Sequence, residues 1–428
     1  MKNKKAPRFD GIQNILLKNL PRIAIDKLTE IFNSCIKLCH FPKLFKHARV
    51  IPILKPGKVS SDPKSYRPIS LLSSLDKVFE SLSMISTQQL LNDEQFGFRS
   101  NHSTIHQVKR VINIINQNKL KRWSTGVILL DIEKAFDSVW HHGLLYKLDQ
   151  MQIPVYMIRI IQSFLHNRTY STIVDEEESS MRTIPAGVPQ GSVLSPTLYS
   201  LFISDFKNLV SNEVAFYADD SALIRSGKST NGIIKNLKNS MKNCHTYYKK
   251  WKIKMNTAKT QAIIFPFNNS FKRQPTLPLT FDENIIPIST SAKYLGVIMD
   301  KKLIYREHLK TILEKANKAL RALYPILCRK SRLSAKNKII IYKTCIRSII
   351  LYGCPVWSTC AQTHLKKLQI LQNKALKMIL KLHPRFSTSR LHKEYKQKTI
   401  KEAIQDINTA FETQCRSSPH QLIRELYI

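Results

Sequence analysis

The spacing of hydrophobic positions divides the chain into a helical beginning, a mixed central part and a helical end. Residues 1–47 have apolar residues at helical spacing, interrupted at Pro21 and Pro42. Residues 48–75 change to short apolar runs separated by Pro, Gly and Ser, a pattern that predicts a hairpin with a basic tip. Helical spacing then returns over residues 76–120.

Strand and helix patterns alternate in the central part. The run TGVILLDI is continuously apolar up to a final acid, as is typical of a strand buried on both faces. VAFYADDSALI predicts a strand, a turn and a second strand, and TQAIIF and KYLGVIMD are also strand-like. Residues 141–168 and 231–255 have helical patterns, and residues 301–382 are basic and helical. We therefore predict an α+β fold with a helical appendage.

The net charge points to the class of partner. The 428-residue chain has 68 Lys and Arg against 30 Asp and Glu, a formal net charge of +38. Such an excess is typical of proteins that bind nucleic acid, with an anionic membrane surface as the second possibility. No apolar run approaches the roughly 18 to 20 residues of a membrane-spanning helix. The first residues lack the apolar core of a secretory signal, so we expect an intracellular protein of the nucleus or cytoplasm, or both.

Three carboxylates stand out by their context. Asp131 ends an apolar run, and Asp219 and Asp220 form the tip of the predicted hairpin. Partly buried carboxylates are costly unless they are paired or bind a metal ion. If the strand end and the hairpin tip meet across one sheet, the acids would supply oxygen ligands for Mg²⁺. The simpler alternative for the hairpin pair is that Asp is a good turn residue.

Seven segments, in order, resemble a known family. LDIEKAFDSVW, AGVPQGSVLSPTLY, FYADDSALI, KT and KYLGVIMD resemble the palm motifs of a reverse transcriptase. Upstream, VIPILKPGKVSSDPKSYRPISLLSSLDKVFE and QFGFRSNHST resemble the fingers of non-LTR retrotransposon enzymes, most closely the jockey-like group of insects. The resemblance covers nearly the whole chain.

The resemblance implies a right-hand polymerase with fingers, a palm with an antiparallel sheet and a helical thumb. It places the N-terminal helices and fingers at 1–125 and the palm at 126–299, with 141–184 returning toward the fingers. The thumb follows at 300–384 and a C-terminal helical segment at 385–428. It also implies RNA-directed DNA synthesis, in which a primer 3′-hydroxyl is extended on an RNA template by two-metal nucleotidyl transfer. The expected partners are an RNA template, a DNA primer or nicked target DNA, and deoxynucleoside triphosphates, without a membrane.

The resemblance also assigns roles to individual residues. Asp131 and Asp219 would hold two Mg²⁺ ions, or Mn²⁺, with Asp220 as the neighbouring acid. Phe136 would lie under the sugar and exclude a 2′-hydroxyl. Around the incoming nucleotide, the triphosphate or base would contact Lys55, Arg67 and Lys58, and the nucleotide would lie against Gln190 and Gly191. The proton donor to pyrophosphate would be Lys259.

Two further segments would contact the template and primer. The primer end would be gripped by Tyr294, Leu295 and Gly296, and the template path would follow Gly97, Phe98 and Arg99.

Two departures from the family pattern favour an alternative. The opening motif reads KAPRFDGI, with Arg8 where the family has glycine, and only twelve residues separate KVFE from DEQFGF. Nothing in the sequence resembles the upstream endonuclease of full-length elements, so we expect a polymerase portion. The alternative function is a catalytically inactive fragment that still binds nucleic acid. Another possibility, a maturase or a telomerase relative, agrees poorly with the fingers segments KPGK, SYRPISLL and QFGFR. A membrane-surface protein would need an amphipathic helix with an exposed apolar face.

Overall fold

The structure is a computed structural model that describes residues 10–83, 90–209, 213–268, 278–282 and 284–427. Arg8 and half of the segment between KVFE and DEQFGF lie outside the described residues. The chain divides into two units. The first comprises Met1–Ser100, Leu130–Ser221 and Asn239–Lys259, and the second comprises Asn101–Leu129, Ala222–Lys238 and Thr260–Ile428.

The α-helices occur mainly at the two ends of the chain, as the hydrophobic spacing predicts. Their bounds are α1 Asn14–Lys18, α2 Arg22–Lys37, α3 Ser74–Ser83, α4 Thr104–Leu120, α5 His141–Gln150, α6 Val155–Leu165, α7 Ser195–Phe202, α8 Phe206–Leu209, α9 Thr230–Lys250, α10 Arg306–Ala322, α11 Tyr324–Leu327, α12 Ala335–Ile341, α13 Ser348–Leu351, α14 Cys354–Trp357, α15 Gln362–Ile379, α16 Thr388–Glu394, α17 Ile400–Arg416 and α18 Gln421–Arg424. A π-helical turn, Tyr342–Arg347, joins α12 to α13.

The strands occupy the middle of the chain. Their bounds are β1 His47–Leu54, β2 Tyr66–Leu71, β3 Ser124–Leu130, β4 Thr169–Val174, β5 Glu177–Glu178, β6 Arg182–Thr183, β7 Glu213–Tyr217, β8 Asp220–Gly227, β9 Gln261–Phe265, β10 Thr280–Phe281, β11 Asn284–Ile285, β12 Ile288–Ser289, β13 Ser291–Tyr294 and β14 Val297–Asp300. The predicted hairpins at 48–75 and around the two adjacent aspartates are confirmed, as is the buried strand that precedes Asp131.

The first unit contains a sheet in the order β2-β1-β4-β5, with β6 also on β4. β1 and β2 are antiparallel, with registers from Arg49 opposite Leu71 to Leu54 opposite Tyr66. β4 runs parallel to β1, which a chain can achieve only through a long connection, here one that contains α3 to α6. This sheet therefore joins the basic hairpin to a segment more than a hundred residues later.

The second unit contains the strands β12, β9, β3 and β8, which follow one another in one sheet. β3 and β9 are antiparallel, from Thr125 opposite Phe265 to Leu129 opposite Gln261, whereas β12 and β9 are parallel. The predicted antiparallel sheet thus includes a parallel strand pair, β12 and β9. β3 is buried because α9 covers it: a side chain at Gly126 would meet Ile233 and Leu237.

A buried lysine joins three helices of the first unit. The Lys147 ammonium, on α5, donates hydrogen bonds to the Phe202 carbonyl (2.5 Å), the Asp205 carboxylate (2.6 Å) and the Tyr247 hydroxyl (2.7 Å). It also lies 3.9 Å from the centre of the Trp251 ring. Burial lowers the pKa of Lys147 to about 8, although Asp205 opposes the shift. The charge is tolerated because every donor of the ammonium has a partner.

Lys147→Ala should lower the free energy of unfolding by about 2 to 4 kcal/mol, because it removes these bonds and leaves a cavity among the aromatic rings. Lys147→Met should cost less, since it keeps the volume of the stem and the Tyr247 hydroxyl still bonds Asp205 at 2.6 Å. Chemical denaturation measures both. The exposed Lys249→Ala, on α9, is the matched control, and equal costs for Lys147→Ala and Lys249→Ala would contradict the role of the cluster.

Candidate active site

Backbone pairing beyond the end of β3 positions Asp131. Ile132 forms an isolated antiparallel bridge with Met255, and the Asn256 amide donates to the Asp131 carbonyl at 2.8 Å. Because the chain continues from Asn256 to Lys259, this pairing brings the Lys259 ammonium within 3.4 Å of the Asp131 carboxylate. Asp131 remains about one third exposed, so an ion or a ligand can reach it.

The turn between β7 and β8 carries Asp219 and Asp220. Ala218 has a left-handed conformation, with φ of 60°, which makes the turn tight. The Gln95 side-chain carbonyl accepts hydrogen bonds from the Ala218 amide at 3.0 Å and the Gly97 amide at 2.9 Å. A side chain at Gly97 would overlap the Ala218 backbone nitrogen, so only glycine permits this contact. The fingers-like segment thus holds the turn from outside the sheet.

The charges around Asp219 act in both directions on its pKa. Desolvation by the surrounding protein and the nearby Asp131 carboxylate raise the pKa of Asp219, although the side chain is still accessible at the surface. Its own backbone amide, Arg67 and Lys259 lower the pKa. The structure therefore brings Asp131, Asp219, Arg67 and Lys259 into electrostatic contact within the first unit.

The carboxylates suit a hard cation by type. Oxygen ligands are those that Mg²⁺ prefers, and a divalent ion would relieve the repulsion between Asp131 and Asp219. Among the described residues, however, no three His, Cys, Asp or Glu side chains lie close enough to form a metal-binding group. Side-chain rotation would have to bring the predicted ligands Asp131, Asp219 and Asp220 together. The donor set fits a metal ion, and the site itself remains a proposal.

An aromatic stack lies beside the carboxylates. The ring of Phe136 stacks on Tyr199 of α7, with ring centres 5.2 Å apart and an interplanar angle of 24°. Tyr199 is fully buried, and burial together with Asp219 and Asp220 raises the pKa of its phenol. Phe136 therefore stacks on a tyrosine that interacts electrostatically with both acids of the turn.

Gln190 and Gly191 lie against the basic hairpin. The Ser70 amide, on β2, donates to the Gln190 carbonyl at 2.8 Å, and a side chain at Gly191 would overlap the Ser70 carbonyl. The Gln190 side-chain amide donates to the Asp137 carboxylate at 3.0 Å. Asp137 thus orients Gln190, a predicted nucleotide-binding residue. The only sequence signal for this role of Asp137 was its position directly after Phe136.

Three other cations with predicted roles, Lys55 and Lys58 of the hairpin and Arg99, make contacts away from the carboxylates. The Lys55 ammonium donates to the Lys64 carbonyl at 2.9 Å, within the hairpin tip, and Lys58 is exposed. Arg99 lies along the Gln95–Phe98 segment, where it donates to the Asn92 carbonyl at 3.0 Å. These contacts do not bring Lys55, Lys58 or Arg99 to the carboxylates, so their predicted roles remain untested.

The predicted primer-grip residues belong to the second unit. Tyr294 ends β13, and Leu295 and Gly296 form a two-residue turn in which both φ values are positive, 44° and 88°. The hydroxyl of Tyr352 donates to the Leu295 carbonyl at 2.8 Å, and its ring leaves no room for a side chain at Gly296. The turn is therefore held in one conformation by a residue that follows α13.

The first unit also contains a buried polar group that was not predicted from the sequence. One carboxyl oxygen of Glu80, on α3, accepts hydrogen bonds from the Ser192 hydroxyl (2.9 Å), the Leu194 amide (3.0 Å) and the Val193 amide. Asp76, one helical turn earlier, is equally buried, and the Arg168 guanidinium attracts both acids. Two acids four residues apart among apolar neighbours were the available signal. This group fixes the loop that follows Gln190 and Gly191.

The fold and these residues together define a class of protein. The α+β fold, whose first unit brings Asp131 and Asp219 together with Arg67 of the basic hairpin, is that of a right-hand polymerase. Residues 53–299 match the family model described as reverse transcriptase (RNA-dependent DNA polymerase). The chain belongs to the reverse transcriptase family.

The similar proteins are enzymes of mobile elements. The chain is 35% identical over 442 residues to the RNA-directed DNA polymerase from mobile element jockey of Drosophila funebris, covering 100% of this chain and 48% of the relative. It is 33% identical over 437 residues to the probable RNA-directed DNA polymerase from transposon BS of Drosophila melanogaster, covering 99% of this chain and 48% of the relative. The chain thus spans about half the length of these curated relatives, and the predicted resemblance to jockey-like elements is confirmed.

One solved structure extends the comparison. Telomerase from Candida tropicalis, in complex with a TWJ fragment of telomeric RNA, is 13% identical, with a TM-score of 0.42 over 94% of this chain and 67% of that chain. A separate observation concerns membranes: among the described residues no helix has both the length and the apolarity to cross a bilayer.

The buried acids predict a pH-dependent stability. Burial and the neighbouring Glu80 raise the pKa of Asp76 to about 9. Between the unfolded pKa near 4 and this value, the folded chain keeps a proton that the unfolded chain releases, so rising pH favours unfolding by up to about 1.4 kcal/mol per pH unit. Asp76→Asn removes the titrating group, and its unfolding free energy relative to the wild type should increase as the pH rises from 5 to 8.

Urea denaturation at pH 5, 6.5 and 8 measures this difference. Asp149→Asn, at an exposed carboxyl of α5, is the control and should show no such trend. A difference between Asp76→Asn and wild type that stays constant across the three pH values would show that Asp76 is ionised in the folded chain.

Proposed function

We propose that the chain is an RNA-directed DNA polymerase, which extends a primer 3′-hydroxyl on an RNA template with deoxynucleoside triphosphates. One observation carries this proposal: Asp131 and Asp219 interact electrostatically in one structural unit, with Arg67 and Lys259 beside them. Membership of the reverse transcriptase family and the similarity to jockey-like polymerases support the same activity. The net charge of +38 supports a nucleic acid partner.

We assign the following roles to the residues of the first unit. Asp131 and Asp219 hold Mg²⁺, or Mn²⁺, and Asp220 is the adjacent acid. Ions held by these carboxylates would supply Lewis-acid activation of the attacking hydroxyl and charge stabilisation of the leaving pyrophosphate. Lys259 is near enough to Asp131 to balance its charge before the metal arrives, and it is the candidate proton donor to pyrophosphate. Arg67 offers a planar guanidinium to the triphosphate.

Other residues shape the nucleotide pocket. Phe136 lies under the sugar, where a bulky ring excludes a 2′-hydroxyl. Gln190 and Gly191 line the nucleotide, supported by Asp137 and Ser70. Lys55, with Lys58, is the candidate contact of the hairpin tip for the triphosphate.

The domain roles complete the proposal. Residues 1–125 form the N-terminal helices and fingers, and residues 126–299 form the palm. Residues 300–384 form a thumb whose Lys and Arg side chains follow the phosphate backbone. Tyr294, Leu295 and Gly296 contact the primer end, and Tyr352 keeps their turn rigid.

Primer extension on an RNA template with deoxynucleotides and Mg²⁺ tests the proposal. Asp219→Ala should reduce extension by at least about 100-fold to 1,000-fold, because it removes a charged ligand from the reacting centre. Asp149→Ala, at an exposed acid of α5 that lies outside the motifs, should extend like the wild type. Template binding by Asp219→Ala should be retained and should fall steeply with added salt.

Two outcomes would contradict the proposal. If Asp219→Ala extended the primer as well as the wild type, the carboxylates would not be catalytic. If the wild type bound template with the same salt dependence but did not extend it, the chain would be a nucleic-acid-binding fragment without polymerase activity.

A further inference from the structure

Phe98 has a conformation that its own packing does not require. Its φ is 60°, in the left-handed region that bulky side chains rarely adopt, and its side chain is 49% exposed. A half-exposed phenylalanine gains little from burial to offset this strain. Strained residues that persist at the edge of a site are candidates for function.

The backbone on either side holds Phe98 firmly. The Phe96 amide donates to the Phe216 carbonyl at 2.9 Å, and Gln95 forms a parallel bridge with Phe216 of β7. Gly97 lies against the Ala218 nitrogen without room for a side chain. The backbone at Phe98 is therefore held in a fixed position and direction relative to the turn that carries the acids.

The ring of Phe98 meets Phe136. The two ring centres are 6.0 Å apart and the planes are nearly perpendicular, at 88°, an edge-to-face geometry that aromatic pairs favour. Phe136 in turn stacks on Tyr199, which is fully buried. Phe136 is thus held between a rigid ring of α7 and a ring from the segment docked on the β7–β8 turn.

We propose that Phe98 is a specificity-determining residue, which holds Phe136 in position so that the pair rejects ribonucleotides. This inference rests on the proposed polymerase function and extends it to a second residue. The rejection of a 2′-hydroxyl is a steric contact, and a ring that can rotate away relaxes it. Without Phe98, one side of Phe136 loses its neighbour, whereas the stack on Tyr199 remains.

The test compares incorporation of one matched deoxynucleotide and one matched ribonucleotide. The ratio of their kcat/KM values in single-nucleotide primer extension should fall about threefold to tenfold in Phe98→Ala, the range expected for loss of one edge-to-face pair. Phe98→Tyr keeps the aromatic edge and should keep the wild-type ratio. Tyr156→Ala, at a half-exposed aromatic residue of α6, is the matched control and should leave the ratio unchanged.

A double-mutant cycle separates positioning from a direct effect. Phe136→Ala alone should lower the ratio, and adding Phe98→Ala to it should lower the ratio no further, because Phe98 acts through Phe136. A second readout requires no catalysis. It is the stability of the complex of the chain with template and dideoxy-terminated primer, measured with either the next deoxynucleotide or the next ribonucleotide added. The difference between the two nucleotides should be smaller in Phe98→Ala than in the wild type.

The outcomes distinguish the two claims. If the wild type extends the primer and Phe98→Ala leaves the ratio unchanged, the inference is wrong and the polymerase function stands. If the wild type does not extend but its complex discriminates and Phe98→Ala weakens that discrimination, the catalytic claim fails and the role of Phe98 stands. A wild type that neither extends nor discriminates overturns both.

Discussion

The repulsion between Asp131 and Asp219 is the constraint on which the rest of the site depends. Desolvation by the surrounding protein is the main cause of the raised pKa of Asp219, and the nearby Asp131 carboxylate raises it further. The chain opposes the repulsion with the cations of Arg67 and Lys259 and with rigid backbone on both sides. The Asn256 amide holds the Asp131 backbone, and Gln95 holds the turn before Asp219. The acids are kept near each other although their charges disfavour it.

Buried polar groups extend this rigidity to the nucleotide loop. Glu80 accepts three hydrogen bonds from residues 192–194, and it is itself buried beside Asp76 and Arg168. Asp137 orients the Gln190 side chain from the other side. A loop that carries Gly191 would otherwise be mobile, because glycine restricts the backbone least. Burial of these carboxylates lowers the stability of the core, and their hydrogen bonds hold the loop at the surface of the site in one conformation.

The sequence predicted the strands and turns of the site better than their surroundings. The acids at the end of β3 and in the β7–β8 turn were identified because charged residues in apolar runs contradict the local pattern. The roles of Asp76, Glu80 and Asp137 were not predicted, because they depend on contacts distant in sequence. The Asp137 carboxylate binds Gln190, 53 positions later, and the Glu80 carboxylate binds Leu194, 114 positions later. Likewise, the ion pair of Lys259 with Asp131 depends on the pairing of Ile132 with Met255, which no local pattern encodes. The parallel pair β12 and β9 was also unforeseen, because two-residue strands carry no periodicity.

Electron paramagnetic resonance of Mn²⁺ bound to the chain, with a dideoxy-terminated primer, RNA template and the next deoxynucleotide, tests the central claim most directly. If Asp131 and Asp219 together hold the metal, Asp131→Asn and Asp219→Asn should each lose tightly bound Mn²⁺ that the wild type and Asp149→Asn retain. Wild-type Mn²⁺ binding in both Asp131→Asn and Asp219→Asn would contradict the claim that these two carboxylates form the site.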